Sequence, residues 1–471
     1  MNFVLKKENR YQIIWSMLVS LAICTIFFII RGDHGSGDGS IHIIYGYNLQ
    51  TTGRLEFNSS QLSSGTSSPT WTLLIALISS FVDRANMFLA TEILSIFLFS
   101  FGASCAAYYG LKKHSSMMGW LLPGFYIFIN LRAFSLGLQW EDALLSTVLL
   151  STFLMVVFYK NTLTTKRIFA ISILAGFTIL SRPQEIVPIG LISVYFLFYN
   201  IDETKKNLAK LIFGAFGAMF ISVIYFIWCR IYTGSFLPFS VAARLALKDS
   251  FNAVSLIDWD RLFFQKFLDP VTLIPCIICL VLMFLNKRID KDFFGYLLLF
   301  LVSSSITFYI TGGYKFNLYA IANNSIIFIA CAEYLIKTTK DVTLKKETLY
   351  LFIGAFGLVL ALSAVVKPGN GFSWKRIVAA EECNIRNKIA LNSVVMLHEV
   401  QNRWCLDKTI TVIAMNGITD QIMTPTINSP EMIPLLLRKH NVEYVELYQA
   451  LATRHFPGET ILGRAAHEFF I

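Results

Sequence analysis

The sequence predicts an all-α polytopic membrane protein of about eleven transmembrane helices, with a small α/β domain at its C-terminal end. Hydrophobic residues make up 55% of its 471 residues and charged residues only 15%, where a soluble globular chain carries roughly 25% charge. Mean hydropathy is +0.58. The apolar residues fall in long runs with basic residues between them, and the composition turns polar after residue 366.

The net charge of +10 does not point to nucleic acid, because the Lys and Arg residues do not gather into a patch with interleaved aromatics. They punctuate the apolar runs, so they read as topology signals.

Runs of spanning length cover residues 12–30, 87–111, 117–131, 142–159, 167–181, 185–201, 209–232, 268–286, 293–311, 319–337 and 348–366. The first has no small-residue cleavage site and is expected to remain as a span. The run from Pro69 to Phe81 is short: it reaches about 20 Å against a hydrocarbon core of about 30 Å, so a short span and a re-entrant segment are both open.

If that run does not cross, Lys112-Lys113 and the connectors 160–167, 205–210, 286–291 and 337–346 all fall on the side of Lys6, Lys7 and Arg10. That side is then cytoplasmic. The expected location is a bacterial cytoplasmic (inner) membrane, with the N-terminus inside and the C-terminal segment in the periplasm.

Residues 1–366 thus form a transmembrane domain. Its first outer loop spans 31–86 and its second 233–267. Residues 367–471 form the periplasmic α/β domain, with a helix near 386–401, a strand at 409–414, a helix near 431–440 and a strand at 444–447. Six of the eight cysteines lie in apolar runs and behave as small hydrophobes. Cys383 and Cys405 lie in the polar segment, where a periplasmic location permits a disulfide between them.

The first outer loop carries the unusual residues. Asp38, His42 and Tyr45 fall at i, i+4 and i+7, so a helix over 39–51 puts them on one face, with Ile41, Ile44 and Leu49 mainly on another. Such a helix is expected at the bilayer surface, apolar side in the acyl boundary. The same spacing also describes an ordinary interfacial helix whose polar face is merely solvated.

Gly37 to Leu49, followed by Gly53, Phe57-Asn58, Gly65 and Ser68-Pro69-Thr70-Trp71, resembles the first periplasmic loop of GT-C-type membrane glycosyltransferases. The branch it most resembles holds the mycobacterial terminal arabinofuranosyltransferases and related polyprenyl-phosphate-sugar-dependent enzymes. Asp38 matches the second Asp of that pattern, Gly37 stands in place of the first, and Ile44 and Tyr47 stand at two Arg positions. Weaker likenesses follow in order: Gly137 to Glu141 to a Gly-Met-Glu turn, Ser181 to Glu185 to Thr-Arg-Pro-Glu-Gly, Tyr232 to Pro238 to Tyr-Tyr-Gly-Asp-Xaa-Xaa-Pro, and Gly312-Gly313-Tyr314 to Gly-Gly-Asp.

The resemblance implies a GT-C fold and an inverting transfer from a polyprenyl-phosphate sugar to a periplasmic polysaccharide or lipid-linked glycan. Asp38 is the expected catalytic base. Arg182, Arg244, Lys315 and Arg132 are expected at the donor phosphate, and His42, Tyr45, Asn58, Glu141 and Glu185 at the substrates. For each cation, simple interfacial anchoring is the competing reading. Some enzymes of this type use a divalent cation, Mg or Mn, and others do not; with Gly37 replacing the first Asp, no metal site or required cofactor is expected. A donor synthase and a flippase are the expected protein partners.

Richness in Phe, Ile, Lys and Asn suggests an AT-rich gene, as in the serotype-converting enzymes that glucosylate the O-antigen of lipopolysaccharide, which the chain resembles in size, charge and span number; that resemblance implies undecaprenyl-phosphate glucose as donor and glucose as the sugar. Two other classes stay open: a transporter or flippase of lipid-linked glycans, which predicts broken spans and a repeat between halves, and an O-antigen polymerase, which predicts a long outer loop late in the chain.

Overall fold

A computed structural model describes residues 7–31, 39–59, 61–113, 116–137, 141–159, 162–236, 238, 270–286, 289–310, 321–341, 389–397, 406, 408–414 and 433–445. Contacts divide the protein into two units, the first drawn from residues 1–34, 91–222 and 256–374, the second from 35–90, 223–255 and 375–471.

The described chain is mostly helical. In order the helices are α1 (Lys7–Arg31), α2 (Gly39–Thr52), α3 (Pro69–Ile78), α4 (Met87–Lys113), α5 (Ser116–Gly137), α6 (Glu141–Phe158), α7 (Thr165–Ser181), α8 (Ile186–Tyr199), α9 (Ile201–Lys206), α10 (Leu208–Thr233), α11 (Pro270–Leu285), α12 (Lys291–Ile310), α13 (Asn324–Asp341) and α14 (Ile433–Lys439). Ten of the eleven apolar runs overlap these helices, and the last, 348–366, lies outside the described residues. Among the described residues, α4, α10 and α12 are long and apolar enough to cross a membrane.

The first unit packs its own helices closely. Aromatic rings fill its centre: Phe99 stacks on Phe134 at 4.9 Å between centroids and meets Tyr126 at 5.3 Å, and Tyr126 meets Phe328 edge-on at 5.6 Å. Gly110 lets helices approach, since a Cβ there would sit 2.5 Å from the carbonyl oxygen of Met118. Within lipid, apolar burial gives little drive to helix association, so such small-residue contacts and shape-matched packing hold helices together. Phe213, Phe216 and Phe220 of α10 are instead exposed, as on a helix that faces hydrocarbon.

Charges gather where helices of the first unit end. Lys113 Nζ lies 2.7 Å from both carboxylate oxygens of Glu333, to which the Tyr109 hydroxyl also donates. Lys337 pairs with Asp290 at 3.1 Å and with Asp292, and Tyr199 OH donates to Asp292 at 3.2 Å. The Arg167 guanidinium donates to the carbonyls of Val156, Val157 and Thr162, capping the C-terminal end of α6. These residues belong to or flank four of the five connectors assigned to one side by positive charge, and Glu203, which accepts from Leu163 N–H at 3.3 Å, stands just before the fifth.

In the second unit three strands, β1 (Val394–Leu397), β2 (Thr411–Ala414) and β3 (Tyr444–Val445), make a parallel sheet in the order β2-β1-β3. The described residues of the expected strands at 409–414 and 444–447 and of the helix near 431–440 hold β2, β3 and α14. The helix expected near 386–401 is not present: that stretch contains β1. Four consecutive apolar residues, Val-Val-Met-Leu, suit a central strand paired on both sides, and Asn392, with φ 65°, breaks the chain two residues before it.

Candidate functional site

Helix α2 forms where spacing predicts it. The hydroxyls of Thr51 and Thr52 fold back on the carbonyls of Tyr47 and Asn48, and Gly53, at φ +71°, turns the chain out of the helix while its N–H bonds Leu49 O at 3.0 Å. Its environment differs from expectation. Ile41 through Tyr45 are all buried, and the apolar side packs on Phe57, Val395, Leu406, Ile410 and Val412. Helix α2 is therefore a packed helix, not one whose apolar side lies in the acyl boundary. Its apolar partner arrives from the C-terminal segment, which spacing within α2 cannot reveal.

Helix α3, the short run, is ten residues long, about 15 Å, which is half the hydrocarbon thickness. It packs against α2 across Gly46, where a Cβ would lie 2.5 Å from Ile75 Cγ2 and 2.9 Å from Thr72 O. Gly46→Ala is expected to destabilise the second unit by about 1–3 kcal/mol, read as a lower thermal midpoint in detergent.

The other side of α2 meets the hydroxyl-rich segment that follows. His42 Nδ1 lies 2.9 Å from Thr66 Oγ1, Thr66 Oγ1 lies 2.7 Å from Thr72 Oγ1, and Thr72 Oγ1 donates to Ser68 O at 3.0 Å. Each hydroxyl has one proton. With that of Thr72 on Ser68 O, Thr66 donates to Thr72, and His42 must donate from Nδ1.

Tyr45 OH lies 2.5 Å from Ser63 Oγ and accepts from Gly65 N–H at 3.1 Å. Tyr225 OH donates to Thr66 O at 3.1 Å. Ser64 Oγ donates at 3.4 Å to Thr233 Oγ1, whose own proton goes to Cys229 O at 2.7 Å. Tyr45→Phe removes a buried hydroxyl with two partners and is expected to cost about 1–3 kcal/mol, measured in the same thermal assay.

Asn58, expected at a substrate, has both amide atoms on the C-terminal sheet: Nδ2 donates to Val412 O at 2.8 Å and Oδ1 accepts from Val412 N–H at 2.9 Å.

Arg182 and Glu185 share the turn between α7 and α8 in the first unit. Pro183 ends α7, Arg182 is extended at φ −155° with its N–H on Thr178 O at 3.1 Å, and Glu185 N–H returns to Arg182 O at 3.0 Å. Both side chains are buried, at 3% and 1% exposure, and both are engaged in further interactions. Burial of both charges separates this turn from simple interfacial anchoring, in which the charged head stays in water.

Arg132 lies within α5 and Glu141 opens α6. Asp38, Arg244, Lys315, Cys383 and Cys405 lie outside the described residues. No family model, curated protein or solved structure matches the chain. Among the described residues no group of three or more His, Cys, Asp or Glu is placed to hold a metal ion.

Sequence reasoning passed over the hydroxyl partners, because Ser-Ser-Gly-Thr-Ser-Ser has the composition of a linker. It also passed over Glu92, a buried carboxylate of the first unit inside an apolar run. A lone acidic residue within a span was the available signal.

Proposed function

We propose that the protein is an inverting GT-C-type glycosyltransferase of the bacterial inner membrane, with about eleven spans and its site at the periplasmic face. It moves a hexose, glucose by preference, from a polyprenyl-phosphate donor to a periplasmic glycan such as the O-antigen of lipopolysaccharide. The observation that carries this reading is the ordered, buried polar face of α2, with His42 and Tyr45 held by hydroxyls, in the outer loop that also holds Asp38 in a largely apolar protein. Burying these groups costs free energy that their hydrogen bonds offset, and such a polar cluster in a largely apolar protein is read by default as a site. Buried Arg182 beside Pro183 adds support as a phosphate partner.

In the proposed reaction Asp38 takes the proton of an acceptor hydroxyl as its oxygen attacks the anomeric carbon. The bond from that carbon to the phosphate oxygen breaks, and polyprenyl phosphate leaves with both bonding electrons. Cationic side chains hold the developing phosphate charge, the role the resemblance gives to Arg182, Arg244, Lys315 and Arg132. The displacement is direct, so the anomeric configuration inverts and no covalent sugar–protein species forms.

The test is transfer in membrane vesicles containing the protein, supplied with undecaprenyl-phosphate glucose and O-antigen lipopolysaccharide, with the new linkage read by NMR. Glucose joined with inverted configuration is the expected product. Movement of the lipid-linked sugar across the vesicle without a new glycosidic bond would contradict the reading and make the protein a transporter.

A further inference from the structure

We infer that the C-terminal sheet holds helix α2 in place through Asn58, so that Asn58 is a positioning residue and the C-terminal segment a working part of the transfer site. The link to transfer rests on the function proposed above; the mechanical part does not.

Among the described residues β2 is an edge strand, since the sheet order places β1 on only one of its sides. In a parallel ladder alternate residues bond the neighbouring strand, and here Thr411 N–H bonds Ser393 O at 3.0 Å. The N–H and C=O of Val412 therefore point away from β1. An open edge invites pairing with another chain, and the Asn58 amide closes it at Val412 with a reciprocal pair of hydrogen bonds, as the backbone of another strand would. Ser59 Oγ adds a bond to Lys408 O at 3.0 Å.

From Asn58 the connection runs back into α2. The Asn48 amide of α2 donates to Glu56 O at 3.0 Å and Phe57 O at 3.3 Å, and the rings of Phe57 and Tyr45 lie 5.7 Å apart. Val412 completes the path from the other side, its buried side chain belonging to the same cluster as Ile41, Ile44, Tyr45 and Phe57. Every residue on this path is in the second unit. The helix so gripped begins at Gly39, one residue after Asp38, so loosening the grip should misplace the base without removing it.

The test uses the full chain in detergent and in vesicles, with Asn58→Ala, Asn58→Leu, Val412→Pro and the Asn58→Ala/Val412→Pro double variant. Val412→Pro deletes the outward N–H, at an edge position where proline is tolerated, and also changes the buried side chain that packs on α2, so it attacks the grip from the strand side through both contacts. Amide exchange over residues 39–52 is expected to accelerate at least about tenfold in each variant while α12 is unchanged, the loss of local protection that follows when a structural contact is cut. With undecaprenyl-phosphate glucose, kcat is expected to fall about 100-fold, as for a misplaced group, with KM within about twofold and the double variant no worse than the singles. Unchanged exchange over 39–52 overturns the inference, whatever the sugar assay gives. A raised KM with intact kcat makes Asn58 a substrate contact and also overturns it. If the unaltered protein transfers no sugar while exchange accelerates in the variants, the grip on α2 stands and the transfer reading falls.

Discussion

Asp38→Asn is expected to lower sugar transfer by about 100- to 10,000-fold, the usual contribution of a positioned general base, with the amount of protein in the membrane unchanged. Asn keeps the shape of Asp and removes its ability to accept a proton, so the loss should fall on kcat. The effect should exceed that of any change at His42 or Tyr45, whose side chains order the neighbouring hydroxyls at Thr66 and Ser63. Stability should be nearly untouched, because α2 is secured by buried residues from Ile41 onward. Initial rates in vesicles, normalised to protein by immunoblot, check this; an Asn variant with more than about a tenth of the original rate, against the range cited for a general base, removes Asp38 from the role of base.

Arg182 carries the second large effect. Arg182→Ala is expected to lower transfer about 100- to 1,000-fold, as loss of a preorganised group that meets developing charge does. Arg182→Lys should recover little of it, because an ammonium lacks the planar fork that grips a phosphate at two oxygens. A buried charge removed from beside a second one, Glu185, also costs stability, so the two effects must be separated. The Lys variant does so: it keeps the positive charge, and its thermal midpoint should lie closer to the original than its activity does. Full activity in the Lys variant would make Arg182 a structural residue of the α7–α8 turn.

The elements were largely legible because apolar run length and helix spacing are local properties. Helix α2 was expected over 39–51 and forms over Gly39–Thr52; β2, α14 and β3 also fall within their expected stretches. Strand β1 was not legible, since Val-Val-Met-Leu satisfies a buried helix turn as well as a buried strand until its neighbours β2 and β3 are known. The surroundings of the candidate site were legible in part. Spacing singled out His42 and Tyr45, and both are ordered by hydrogen bonds. It could not show that the apolar face of α2 meets the C-terminal sheet, or that Asn58 bonds Val412, 354 residues away. Contacts of that separation leave no periodic trace in one sequence.

The central claim, that the protein adds a sugar to a periplasmic glycan, is tested most directly by the mass of surface polysaccharide from cells carrying the intact gene, its Asp38→Asn form, or neither. The account predicts a gain of one hexose per repeat with the intact gene alone. An identical glycan mass in all three strains would contradict it.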